Sequence, residues 1–283
     1  MAQIALLTSS QNRPSARQIL ERIGFEFSSR GYKLGNGRYS KVLVGRHTNL
    51  QRKFAIKVTN LREVTEEFRV KFLPREMKCW SQLSHNNICT LYHEFQKYGY
   101  QFAITELAEH GDLLSYVQKN GAVPERQARN WMIQLVNAVG YLHSRKIAHR
   151  DLKLENVVIF DGGTVKLCDF GFSRQSKDIS STFCGSKSYS APEILSGIVY
   201  DIFKADIWSL GVVGFVMVTN SMPFREDVDH NSQIVEAQRN RHYRYPALGL
   251  SVACRQSIDT MMTFEPGRRP SIKECRQLPW FLP

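Results

Sequence analysis

The chain has 283 residues, 42% of them hydrophobic and 23% charged, which suits a soluble globular fold of one large domain or two small ones packed together. Its net charge of +12 is dispersed without a block of like charge, which argues against nucleic acid as a partner and leaves phosphate-bearing ligands open. The six cysteines form no CxxC pair and stand beside no histidine cluster; neither a zinc site nor a disulfide framework is expected, and reduced thiols point to the cytoplasm.

Residues 1–25 are rich in Ser, Gln, Asn and Pro and read as a flexible tail. The apolar run in MAQIALL is too short for a signal peptide, and Ala2 excludes myristoylation. From about Gly31 to Val58 apolar and polar residues alternate, which predicts strands. In FAIKV the period of two puts Phe54, Ile56 and Val58 on one face and Ala55 and Lys57 on the other. Thr65–Leu83 carries Phe68, Phe72, Met77, Trp80 and Leu83 at helical spacings, with Pro74 set to kink that helix or start a fresh one. Strands are expected near Leu91–Phe95 and Tyr100–Leu107. Beyond Gly111 helices take over, and Ala128, Trp131, Leu135, Val139 and Leu142 form one amphipathic stripe. The apolar run Gly211–Val218 is too short to span a bilayer, so a buried core helix and no membrane partner are expected. The change from strands to helices near Glu109–Asp112 marks the expected boundary between two lobes.

Three segments carry chemistry. In LGNGRYSKV (34–42) the pair Gly35-x-Gly37 is either a plain hairpin turn or a loop whose main-chain N–H groups approach phosphates. A strand, not a helix, follows it, and Ser40 stands where a dinucleotide fingerprint has its third glycine. Lys57 is either a solvated charge or a cation seeking an anion, with Glu76 on the next helix as one candidate partner. HRDLKLEN (149–156) sets His149, Arg150, Asp151, Lys153, Glu155 and Asn156 between the apolar stretches Met132–Leu142 and Val157–Ile159. Asn156 opens a strand, Asp161-Gly162-Gly163 is a hairpin turn, and Thr164–Cys168 returns to Asp169 of LCDFGFS. A hairpin folded between Gly162 and Gly163 brings Asn156 and Asp169 to one open end, with Asp151 just upstream. The bland alternative is a polar hairpin mouth; the three together are hard oxygen groups suited to Mg²⁺.

With GNGRYSKV, AIK at 55–57, HRDLKLEN, DFG at 169–171 and APE at 191–193 in this order, the chain resembles the eukaryotic protein kinases from about residue 31 to 281. HRDLK with CGS at 184–186 resembles the serine/threonine type. RGYKLG, YSKV, KFLPRE, HGDLL and FCGSKSYSAPEIL are similar to the testis-specific serine/threonine kinases of the calcium/calmodulin-dependent kinase group. The resemblance implies an α+β, bilobal protein-kinase fold at 26–283. A small β-rich N-lobe with one main helix covers about 26–108, and a larger helical C-lobe about 109–283. It implies a monomer that uses ATP and Mg²⁺ to phosphorylate Ser/Thr hydroxyls of protein substrates, with no calmodulin-binding tail.

Residue roles follow from the matching motifs. Asp151 would orient the substrate hydroxyl and accept its proton, Lys153 would neutralise charge on the phosphoryl group, and Asn156 and Asp169 would hold Mg²⁺. Lys57, fixed by Glu76, would pair with the α- and β-phosphates. Leu34, Gly35, Asn36, Gly37, Arg38, Tyr39 and Ser40 would cover the nucleotide, with Val42 and Ala55 also among its binding positions. Thr105 matches the gatekeeper and Glu106, Leu107 and Ala108 the hinge, while Asp112 meets ribose or substrate. Glu193 and Arg269 match the buried structural ion pair, Asp206 the anchor of the catalytic loop, and His149 a packing residue. Arg150 would await a phosphorylated activation loop, with Thr182 the target of an upstream kinase and Ser180 and Ser181 its rivals. Glu155 and Asp112 sit where related kinases meet Arg side chains upstream of the acceptor. Trp80 stands where a smaller aliphatic is usual, and an indole there either pushes its helix outward or locks it inward. A pseudokinase scaffold is the alternative, and the complete set Lys57, Asp151, Asn156 and Asp169 weighs against it.

Overall fold

The structure, a computed structural model, describes residues 13–28, 33–36, 40–175, 179–180, 186–225, 227–246 and 249–282. The expected positions Gly37, Arg38, Tyr39, Ser181 and Thr182 lie outside the described residues. The chain divides into two compact units, one of residues 1–69 and 91–107, the other of residues 70–90 and 108–283.

The first unit is an antiparallel sheet backed by one short helix. Its strands are β1 (Phe25–Glu26), β2 (Lys33–Asn36), β3 (Ser40–His47), β4 (Arg52–Asn60), β5 (Leu91–Lys97) and β6 (Tyr100–Glu106). They run in the order β1-β3-β4-β6-β5, with β2 also on β3. The alternation in FAIKV works as expected: Phe54, Ile56 and Val58 are buried, while Ala55 and Lys57 on the other face stay partly exposed.

The reading of residues 1–25 as tail is corrected for residues 13–25; residues 1–12 lie outside the described residues. Ala16–Glu21 forms helix α1, started by a capping box in which Ser15 Oγ accepts from the Gln18 amide and Gln18 Oε1 accepts from the Ser15 amide. Arg17 pairs with Glu21 one turn on. A helix this short does not hold by propensity alone. Ile19 and Leu20 anchor it by packing into the cluster of Phe25, Phe54, Ile56, Val58, Phe102 and Ile104.

A π-helical turn at Phe68–Phe72 leads to helix α2 (Leu73–Trp80) of the second unit, and Pro74 sits in its first turn, where a missing N–H costs nothing. The helix expected in the strand-rich lobe therefore groups with the second unit. There follow α3 (Leu113–Asn120), α4 (Glu125–Ser144), β7 (Ile147–Ala148), β8 (Val157–Phe160), β9 (Thr164–Leu167), β10 (Arg174–Gln175) and β11 (Ile179–Ser180). The chain ends with α5 (Pro192–Leu195), β12 (Tyr200–Asp201), α6 (Ile202–Thr219), α7 (Asn231–Arg239), α8 (Val252–Met261) and α9 (Ile272–Cys275). Helix α6 is apolar nearly all round, and it is the core helix of this unit, packed on α4 and α8. Close approach requires its glycines: a Cβ at Gly211 would come within 2.7 Å of Met262. The stripe Ala128, Trp131, Leu135, Val139 and Leu142 on α4 is buried as expected. Arg269 is fully enclosed and forks onto Glu193, with Nη1–Oε1 at 2.7 Å and Nη2–Oε2 at 3.1 Å, the buried pair read from the sequence. The five described cysteines are free thiols.

Candidate active site

The catalytic segment is held by one carboxylate. Asp206, in the first turns of α6 and 1% exposed, accepts from the His149 amide and the Arg150 amide at 2.8 Å each and lies 2.9 Å from His143 Nε2. The loop between β7 and β8 is thereby fixed at its start, and Arg150 takes a φ of 67°, a left-handed conformation that a non-glycine residue rarely adopts. His149 is buried, 3.2 Å from the Cys168 carbonyl and ring to ring with Phe170 at 5.1 Å, so it is a packing residue.

Beyond this anchor four polar side chains converge. Asp151, 6% exposed, accepts the Lys153 ammonium on Oδ2 at 2.8 Å and the Asn156 amide on the same oxygen at 3.0 Å. Its Oδ1 accepts from the Ser186 amide at 3.0 Å and the Ser186 hydroxyl at 3.3 Å. Lys153 Nζ also donates to Ser186 Oγ at 2.9 Å, closing the ring. Asn156 gives a second bond from Nδ2 to the Asp151 carbonyl, so both donors are committed to Asp151 and Oδ1 is the candidate ligand oxygen.

The β8–β9 hairpin delivers the second candidate metal ligand with one correction. The register Val157↔Leu167 to Phe160↔Thr164 centres on Gly162, not between Gly162 and Gly163. Asn156 therefore faces Cys168, whose amide bonds its carbonyl at 2.9 Å, and Asp169 lies one residue further on. A φ of 60° at Asp169 makes up that offset by turning the chain, and its Oδ1 accepts from the Gly171 amide at 3.3 Å. The Glu76 carboxylate stands beside the same glycine: a Cβ at Gly171 would meet Asp169 Oδ1 at 3.3 Å and Glu76 Oε2 at 3.5 Å. Among the described residues no cluster of three or more His, Cys, Asp or Glu could hold a metal. An amide oxygen and a carboxylate fit a hard divalent cation that takes its remaining ligands from water and phosphate.

Trp80 settles inward. Its indole is 4% exposed, donates to the Cys89 carbonyl at 2.7 Å and lies against Phe170 at 5.4 Å, tilted by 43°. Phe170 is thus held between Trp80 and His149.

In the first unit, the pairings Val42↔Lys57 and Ala55↔Thr105 put Val42, Ala55, Lys57 and Thr105 on one sheet face, opposite Phe54, Ile56 and Val58. Thr105 Oγ1 donates to the Ala55 carbonyl at 3.2 Å, which fixes its rotamer. Leu34 and Gly35 lie on β2, where Gly35↔Val42 follows a register irregularity, Asn36 pairs with Lys41, and Ser40 opens β3. Glu106 ends β6, Ala108 follows in the second unit, and Asp112 caps α3 by accepting from the Ser115 amide and hydroxyl at 2.8 Å each. Ser186, noted from the sequence only as part of CGS, is the member of the Asp151 ring that spacing does not reveal.

Within the helical unit, an aspartate, a lysine and an asparagine around one point suit a phosphotransferase. The chain belongs to the protein kinase family, serine/threonine type, whose domain matches residues 28–281. It is 39% identical to testis-specific serine/threonine-protein kinase 3 of Mus musculus over 262 residues, 89% of this chain and 96% of that protein. It is also 35% identical to testis-specific serine/threonine-protein kinase 1 of Homo sapiens over 94% of this chain and 73% of that one. With SNF-related serine/threonine-protein kinase of Rattus norvegicus it shares 38% identity over 87% of this chain and 33% of the other.

Asp206→Asn tests the anchor. The change leaves at least one buried loop N–H facing an amide donor, at a cost of about 1–3 kcal/mol. A lower melting temperature and a lower turnover are expected together. Unchanged values of both, by thermal denaturation and peptide phosphorylation, would show that the loop stands without this carboxylate.

Proposed function

We propose that the protein is a catalytically competent kinase, dependent on ATP and Mg²⁺, that modifies Ser and Thr in protein substrates with Arg or Lys two or three residues before the acceptor. The ring of Asp151, Lys153, Asn156 and Ser186 is the observation that carries this reading. A divalent metal, when bound, neutralises charge on the nucleotide phosphates, and Asn156 and Asp169 would hold it. Asp151 receives the proton of the acceptor hydroxyl as its oxygen bonds to the terminal phosphorus and the bond to the leaving diphosphate breaks. Lys153, 2.8 Å from Asp151, brings a fixed positive charge to the transferring group. Ser186 orients the carboxylate from the other side through its amide and hydroxyl. Lys57 clamps the nucleotide phosphates.

Asp151→Asn and Lys57→Met are each expected to lower phosphoryl transfer by about 10²-fold or more while the protein stays folded. Phosphate incorporation into a degenerate peptide library, with circular dichroism as the folding control, reads this directly. Equal activity in all three proteins sinks the reading built on these residues, and incorporation at background level in all three leaves a pseudokinase.

Substrate choice rests on Glu155. It is exposed on the turn Leu154–Asn156. A carboxylate there suits a bidentate guanidinium, which discriminates better than the diffuse field of a +12 chain screened within about 10 Å. Asp112 contributes less, because both its oxygens already serve Ser115. For peptides differing only in Arg against Ala upstream of the acceptor, a higher kcat/KM with Arg is expected, and Glu155→Gln should shrink that advantage. An advantage untouched by the substitution refutes the assignment.

Activation is proposed to run through phosphorylation of Thr182 by an upstream kinase. The pairing of β11 with β12 brings the backbone of Ile179–Ser180 against Tyr200, whose hydroxyl accepts from Arg150 Nη2 at 3.2 Å. A phosphate entering that neighbourhood adds about −1.5 to −2 of charge beside a guanidinium. Thr182→Ala should lower activity strongly. Phosphopeptide mapping of fully active protein with Thr182 unmodified rules the switch out.

A further inference from the structure

A polar cleft of about 630 Å³ in the second unit has no part in the chemistry above. Its walls are the segment after α2, the C-terminal half of α4 and Arg276 just past α9. Hydrogen-bond donors, among them Arg276, His85 and Tyr141, line it with no acidic side chain among them. Arg276 makes no ion pair among the described residues. Its guanidinium lies against α4 where only Gly140 leaves room, since a Cβ there would overlap it. His85 Nδ1 accepts from the Asn87 amide at 3.0 Å, which puts the proton of the neutral ring on Nε2. Burial, and then the charge of Arg276, hold the His85 pKa below its ordinary value, so the two are electrostatic neighbours. Tyr141 accepts the Ser84 amide at 2.9 Å and keeps its own O–H to donate. The Tyr141 ring packs on His85 at 5.0 Å and under Arg145 at 4.0 Å, so its hydroxyl is rigidly placed.

We propose that this cleft binds a phosphomonoester, the phosphate of a phosphorylated Ser or Thr on a partner peptide. A guanidinium, an imidazole N–H and a phenol O–H approaching from separate elements suit a group with three acceptor oxygens better than a planar carboxylate. The cleft is larger than one phosphate, and the side-chain amides of Asn86 and Asn137 on its walls suit the peptide bonds flanking the modified residue.

The test titrates the full chain, labelled for NMR at histidine rings and glycine amides. The probes are inorganic phosphate, sodium acetate, a phosphoserine hexapeptide and the same hexapeptide unphosphorylated. Shifts at His85 and Gly140 are expected with phosphate and, at lower concentration, with the phosphopeptide, but not with acetate or the unmodified peptide. Arg276→Gln removes one charge-assisted donor and should weaken both responses about tenfold or more. Gly140→Ala, which displaces the guanidinium, should do the same. Phosphorylation of a simple peptide substrate should stay at its wild-type rate in Arg276→Gln. No shift at His85, a shift that survives both substitutions, or an equal response to acetate overturns the site. A phosphopeptide that binds no tighter than inorganic phosphate overturns the peptide as its source.

Discussion

The Asp206 carboxylate, buried at 1% exposure and accepting two consecutive backbone N–H groups, is the constraint from which the site is built. A loop of eight mostly polar residues has little apolar surface to bury and would otherwise sample many conformations. Two charge-assisted bonds to adjacent amides fix both the position and the direction of the chain, and they hold Arg150 in a backbone state it would not choose. His143 on α4 completes the shell, so two long helices and the catalytic segment meet at one charge. That charge is buried where its desolvation is offset by three donors, which is the condition under which an interior carboxylate is tolerated.

The ring around Asp151 follows from that fixed start. Asn156 binds back to Asp151 through both its carbonyl and its carboxylate, which closes the loop on itself before β8 begins. Ser186 then ties the far segment to the same carboxylate. Each member thereby limits the others: the amide of Asn156 cannot turn over without losing two bonds, so its oxygen faces outward by default.

Much of this was legible in the sequence because it rests on short-range patterns. The alternation in FAIKV, the α4 stripe and the DGG turn each report a local period or a turn chemistry, and all three stand. Where the reading slipped, a tertiary or conformational detail decided. The hairpin centre moved by half a residue because Gly162 and Gly163 both adopt positive φ, at 70° and 75°, and the midpoint rule cannot weigh that. Helix α1 carried its own signal, Ser15 followed by Gln18, but a capping box ahead of only two apolar residues is outweighed by polar composition until Ile19 and Leu20 find a core. Ser186 joins Asp151 across 35 residues, a pairing that no local spacing encodes.

Trp80 gives the second unit a property that a small aliphatic side chain would not. The indole packs on Phe170 and is tethered to the Cys89 carbonyl, so it cannot rotate away without giving up that buried hydrogen bond and its contact with the ring. A compound that works by driving Phe170 out of its seat meets a wall here instead of a soft cavity. Displacing Phe170 here means displacing a buried indole with it, a larger rearrangement than a small aliphatic neighbour would demand.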